Sequence, residues 1–157
     1  CKCGWYGTPR CTCSLADVGK YLRRLSGPLL DRIDLQVSVQ PVSYAALASR
    51  GARNEEPSAV IRARVLAARQ LQSARFGQVG IRCNAQIPPA YMSTFCPVDD
   101  DGQKMLEAAF TRLGLTARAY DRLLRVARTI ADLDHSDLLR GTHIAEALSY
   151  RTLDRMI

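Results

Sequence analysis

Four of the six cysteines fall within the first thirteen residues, at Cys1, Cys3, Cys11 and Cys13. The spacing is C-x-C-x7-C-x-C. Two thiol pairs joined by so short a loop have few ways to fold. They can wrap one tetrahedral zinc ion, pair as disulfides, or remain free thiols. The joining loop, Gly4-Trp5-Tyr6-Gly7-Thr8-Pro9-Arg10, carries the glycines and proline that a tight turn between ligand pairs needs. Nothing in the sequence indicates secretion, so zinc is the favoured reading, with disulfides and free thiols as alternatives. A site closed by four thiolates is structural and leaves no position for catalysis. Cys83 and Cys96 stand apart and read as ordinary, buried or half-buried thiols.

The chain of 157 residues is of one-domain length, or one domain with a short companion. With 47% hydrophobic and 24% charged residues it reads as globular, not disordered. No apolar run is long enough to cross a membrane as a helix, and no signal peptide is expected. A cytoplasmic location is expected. The first residue is Cys1 and not Met, which suggests a start inside a longer protein.

Net charge is +7, and its distribution is uneven. Residues 58–98 hold 5 Arg and no acid, whereas 99–157 hold 9 basic and 10 acidic side chains. Of the 22 basic residues 19 are Arg, which favours bidentate contact with phosphate. An arginine-rich solvated face explains the excess as well as a nucleic-acid or nucleotide partner does.

Periodicity is mostly helical. Ser14 or Asp17 caps a first helix reaching about Leu25, ended by Ser26-Gly27-Pro28. Ile33, Leu35, Val37 and Val39 alternate with polar residues and predict a strand ended by Pro41. Tyr44 to Ser49 reads as a short helix and Gly51 to Pro57 as a loop. Ser58 caps a long helix to about Phe76. Its expected core face is Val60 or Ile61, Val65, Leu66, Ala68 and Leu71, with Arg62, Arg64, Arg69 and Arg75 outside. Gly77 to Pro89 is irregular. Acidic residues 99–101 open a helix that Gly114 stops after Leu113. Thr116 caps the next, to about Leu133, with Tyr120, Leu123, Leu124, Ala127 and Ile130 inward. Thr142 caps the last, through Ala145, Leu148 and Tyr150.

Several strings then resemble one family. Residues 21–35, YLRRLSGPLLDRIDL, look like the segment after sensor 1 in AAA+ ATPases of the magnesium-chelatase-like YifB/ComM family. The four-Cys loop before it resembles that family's zinc-binding insertion. Residues 115–133, LTARAYDRLLRVARTIADL, are similar to its sensor-2 helix, and His143 to Arg155 to its closing helix. The resemblance implies a mainly α fold. It would be the C-terminal helical lid of a AAA+ module (58–157), preceded by a linker (43–57) and by the end of the α/β core with its last strand and zinc loop (1–42). Arg32 would be the arginine finger, reaching a neighbouring subunit's ATP. Arg118 would be the sensor-2 arginine, contacting the γ-phosphate in its own subunit. Taken by residue type alone, Arg32 beside Asp31 and Asp34 is a plain surface ion pair, and Arg118 a solvated helix position.

The family's members form rings, often hexamers, that use ATP and Mg²⁺. The implied activity is ComM-like remodelling or branch migration of DNA in uptake and recombination. One alternative is an ATPase subunit of magnesium chelatase, against which the four-Cys insertion argues. The other is a non-enzymatic DNA-binding or assembly module. No G-x-x-x-x-G-K-[ST] phosphate loop and no strand ending in paired acids occurs here. The chain alone is therefore not expected to hydrolyse ATP.

Overall fold

The computed structural model describes residues 1–39, 41–48, 56–77 and 79–151. Eight α-helices appear among them: α1 (Leu15–Leu22), α2 (Gly27–Leu30), α3 (Tyr44–Ala48), α4 (Ser58–Phe76), α5 (Met92–Phe95), α6 (Asp100–Leu113), α7 (Ala117–Leu133) and α8 (Gly141–Ser149). Two 3₁₀ turns, Asn84–Gln86 and Pro89–Tyr91, lie between α4 and α5. Much of the loop expected over 51–57 lies outside the described residues, as do Ser49 and the end of the closing-helix string, 152–155.

Side-chain caps set the starts of α1, α6 and α7. The Ser14 hydroxyl accepts the Asp17 N–H at 3.2 Å, and the Asp17 carboxylate accepts the Ser14 N–H at 3.2 Å, a reciprocal box that opens α1. Asp99 accepts the Gly102 N–H at 2.7 Å, and Thr116 accepts the Ala119 N–H at 3.1 Å. Gly114, at φ 60°, ends α6 in the left-handed conformation that glycine adopts without penalty. Pro28 does not simply break the chain. It sits in the first turn of α2, where its missing N–H has no intrahelical role. Thr142 does not cap α8 either. The helix starts one residue earlier, and the His143 ring Nδ1 accepts the Arg140 N–H at 3.0 Å.

The core lies where α6, α7 and α8 meet, with the connection between α4 and α6 packed over it. Phe76, Ile87, Leu106, Leu123, Leu124, Ala127, Ala131, Leu139 and Ile144 are buried together. Of the inward face expected for α7, Leu123, Leu124 and Ala127 are buried, and Tyr120 and Ile130 pack against them half-buried. Small residues let α7 approach its neighbours closely: Ala119, Ala127 and Ala131 are all buried. A parallel bridge joins Val98 to Leu139. Gly102 of α6 sits against it so tightly that a Cβ there would lie 2.7 Å from Val98 Cγ1 and 2.9 Å from the Leu139 carbonyl oxygen.

Two expectations are corrected. Residues 33–39 form no strand. The alternation is present, but a strand exists only through ladder bonds to a neighbour, and none is formed among the described residues. Instead the stretch runs over the helices, tied by Gln36 N–H donating to the Tyr150 carbonyl at 2.8 Å. The second correction concerns α4. Of its expected core face only Ala68 is buried, joined by Gln72 and Phe76. Val60, Ile61, Val65, Leu66 and Leu71 are exposed, because only the C-terminal half of the helix lies on α7. Arg75, expected outside, turns inward to a buried carboxylate.

Candidate functional site

The turn after α2 is fastened by four polar contacts, three to the start of α7 and one to Arg151 beyond α8. The Thr116 hydroxyl donates to the Asp31 carboxylate at 2.9 Å while it caps α7. Arg151, almost fully buried, donates to the other Asp31 oxygen at 3.4 Å. From the second turn of α7, Arg122 donates to the Arg32 carbonyl at 2.7 Å and to the Asp34 carboxylate. The Leu-Leu-Asp-Arg-Ile-Asp string is thus a fixed corner, anchored on its inner side by buried Leu30.

That corner uses the backbone of Arg32 and leaves its side chain. The Arg32 guanidinium is exposed and makes no hydrogen bond or ion pair among the described residues. Arg118, in the first turn of α7, is likewise exposed without a partner among them. The simple surface ion pair between Arg32 and its acidic neighbours is therefore not formed: Asp31 and Asp34 are engaged by Thr116, Arg151 and Arg122. Both arginines stay charged at any ordinary pH and present a fork that fits phosphate oxygens. Asp31 is bonded to Thr116, two residues before Arg118, so the corner that carries Arg32 is tied to the helix that carries Arg118.

The four N-terminal cysteines also come together. Their Sγ atoms all lie within 4.8 Å of one another. Cys1 and Cys3 are 3.3 Å apart, Cys3 and Cys11 3.6 Å, and Cys1 and Cys11 3.8 Å. Sulfur ligands at the usual Zn–S length of about 2.3 Å stand about 3.8 Å apart at tetrahedral angles. The set therefore fits one such ion with little movement. All four are free thiols. The Trp5 N–H pointing at Cys3, helped by neighbouring thiols and the Thr12 N–H, holds that thiol down at about 7, which favours the thiolate a metal requires. Gly4 and Gly7, at φ 78° and 83°, make the two bends that bring the pairs face to face.

A buried charged cluster supports the helices. Asp132 is 0% exposed and accepts hydrogen bonds from Arg75, Asn84 and Arg128. Arg128, 1% exposed, also donates to the carbonyls of Asp137, at 2.6 Å, and Ser136. No sequence pattern announced Asn84, whose amide reaches Asp132 at 2.7 Å and the Thr129 hydroxyl at 3.1 Å. Cys96 lies buried beside this cluster, and burial pushes its thiol up to about 11, so it is inert. The cluster is saturated by its own members and serves as a structural hub.

Residues 55–151 match the family described as magnesium chelatase, subunit ChlI C-terminal. The chain belongs to the magnesium chelatase family. Residues 1–47 match a second part of it, magnesium chelatase, subunit ChlI. The helical assembly is that of the C-terminal lid of this family's AAA+ domain. Among its relatives, the uncharacterized protein YifB of Escherichia coli K12 is 39% identical over 145 residues, which is 92% of this chain and 28% of that protein. Competence protein ComM of Haemophilus influenzae is 41% identical over 138 residues, 88% of this chain and 26% of that protein. An uncharacterized protein of Mycobacterium bovis is 35% identical over 152 residues, 96% of this chain and 29% of that protein. The chain thus spans little more than a quarter of these relatives. Among the described residues no helix is long and apolar enough to cross a membrane.

Proposed function

We propose that this chain is the lid and arginine-finger portion of a ring-forming AAA+ ATPase that remodels DNA, with ATP and Mg²⁺ bound where subunits meet. The observation that carries the reading is the fastened corner. Asp31 and Asp34 are occupied by Thr116, Arg151 and Arg122, so Arg32 and Arg118 remain free for phosphate. Arg32 acts as the finger toward the adjoining subunit, and Arg118 as the sensor-2 arginine. A guanidinium supplied this way stabilises the charge that develops on the transferred phosphoryl group. Coupling follows from the tie: a shift of α7 on hydrolysis carries the Arg32 corner with it through Thr116 and Arg122.

DNA as the partner is supported by the ComM relative's printed name as a competence protein and by the net charge of +7. Cys1, Cys3, Cys11 and Cys13 hold a structural zinc in this reading, which stiffens the loop between them. The test is ATP turnover by the intact polypeptide with and without single-stranded or branched DNA. Stimulation by DNA is the expected result. Turnover indifferent to DNA removes the remodelling role.

A second reading is favoured by the family description itself: an ATPase subunit that drives Mg²⁺ into a porphyrin. It predicts activity that depends on porphyrin and partner subunits, and none that depends on DNA. The thiol cluster argues for the first reading.

A further inference from the structure

The loop between the thiol pairs does more than join them. It holds out two aromatic rings: Trp5 is 45% and Tyr6 50% exposed. Large rings on a surface normally find a partly buried seat. Here both rings stay about half exposed at the tip of the loop. Positive-φ glycines, Gly4 and Gly7, bracket the two rings. The Trp5 carbonyl is clamped by the Thr8 N–H at 3.0 Å and the Thr8 hydroxyl at 2.8 Å, and the Thr8 carbonyl accepts the Cys11 N–H at 3.0 Å. The presentation is therefore fixed by the fold of the loop.

The surroundings are cationic. Arg10 places its guanidinium 4.5 Å from the centre of the Trp5 ring. Residues 1–25 carry Lys2, Arg10, Lys20, Arg23 and Arg24 against the single acid Asp17. Asp17 is spent on Lys2, at 3.3 Å, and on the start of α1. Lys2, Lys20, Tyr21 and Arg24, with the Lys2-paired Asp17, line a recess of about 220 Å³ beside the loop. Exposed rings flanked by lysine and arginine are what single-stranded nucleic acid uses: bases stack on the rings and phosphates meet the cations. A duplex keeps its base faces to itself and offers only charge.

We propose that Trp5 and Tyr6 form a base-stacking platform for single-stranded DNA, with Arg10, Lys2, Lys20 and Arg24 taking the adjoining phosphates. This rests on the DNA-remodelling reading and names where the strand is gripped. The arginine-rich α4 is the competing place on the same chain.

Trp5 is the only tryptophan, so its fluorescence reports stacking directly. The chain is titrated with an oligothymidylate carrying a fluorescent end label, and anisotropy of the label reads binding anywhere on the protein. Unlabelled oligomer reads Trp5. Saturable quenching of Trp5 in step with the anisotropy change is expected, with a clearly weaker response to a duplex. Trp5→Ala is expected to weaken binding about 5- to 150-fold, the range of one lost base–ring stack, and Trp5→Phe to restore most of it. Retained zinc content and circular dichroism show that each variant is folded. Full anisotropy change with silent Trp5 fluorescence and unchanged Trp5→Ala affinity overturns the platform while DNA binding stands. No anisotropy change at low salt strikes both the platform and the DNA reading. Equal binding and quenching by a duplex also overturns it, because paired bases have no free faces.

Discussion

Arg75 and Asp132, 57 residues apart in the chain, form a two-pronged ion pair across α4 and α7. Nη1 of Arg75 donates to one Asp132 oxygen at 3.0 Å and Nη2 to the other. Asn84 and Arg128 complete the carboxylate's partners, so one buried acid ties a long helix, a 3₁₀ turn and the central helix together.

Removing that acid should be severe. Asp132→Ala leaves Arg128 buried without its counter-charge, a loss of about 3–5 kcal/mol where a buried pair is broken from one side. Urea denaturation of the variant, compared with Arg75→Ala, measures it. Arg75 is 20% exposed at its side chain and can turn to water, so its loss should cost less. Equal, small effects from both would mean that the cluster contributes nothing net.

The same acid sets a pH dependence. Burial alone would raise the Asp132 carboxyl, but the hydrogen bonds from Arg75 and Asn84 and the charges of Arg75 and Arg128 outweigh it and hold it below the usual range. In the unfolded chain it titrates near pH 4. Its support for the fold is therefore full above that pH and is lost as the pH falls through the lower folded-state value. Denaturation midpoints taken on the acid side should fall less steeply for Asp132→Asn than for the parent. Parallel curves would show that the carboxylate is not held down.

Zinc is expected at about one ion per chain, released by chelation and lost in Cys11→Ser. Metal analysis of the purified protein decides this. Because α1 buries only Val18, loss of the ion should loosen the loop and α1. The α4–α8 assembly should keep its helical circular dichroism. A global collapse on chelation would place the ion's contribution in the main core.

Arg32→Ala should leave stability within about 0.5 kcal/mol, since the guanidinium has no partner to lose among the described residues. In the intact protein the ATPase proposal predicts a turnover lower by roughly 10³–10⁵-fold with ATP affinity nearly unchanged. Thr116→Val tests the corner from the other side. It removes a helix cap, at about 1 kcal/mol, and leaves Asp31 held by Arg151 alone. Turnover should fall with it, although Arg32 itself is intact. Loss of ATP binding in Arg32→Ala would show that the finger assignment is wrong.

Much of the local structure could be read from the chain. Ser14, Asp99 and Thr116 are caps because short side-chain acceptors reach the free N–H groups of a first turn, and Gly114 is a stop because it tolerates positive φ. The grouping of Cys1, Cys3, Cys11 and Cys13 followed from two short spacings. The face of α4 could not be read. Apolar residues lie on several sides of it, and burial was decided by where α7 passes, at Ala68, Gln72 and Phe76. Ile33 to Val39 has the alternation of a strand, yet a strand is a pairing and not a property of one segment.

Local chemistry thus determined where helices start and stop and which thiols meet. The fates of most of the arginines were set by tertiary structure. Arg75, Arg118, Arg122 and Arg128 all sit on helices and look alike in sequence. Arg75 and Arg128 close on Asp132, Arg122 closes on Asp34, and Arg118 and Arg32 are left open among the described residues. The reason is physical. Burying a guanidinium is tolerable only when a carboxylate or carbonyl arrives to meet it. Arg128 finds Asp132 one turn along its own helix, but Asp132 for Arg75 and Asp34 for Arg122 come from distant parts of the chain, so only the folded arrangement can say which of these cations are spent on the fold.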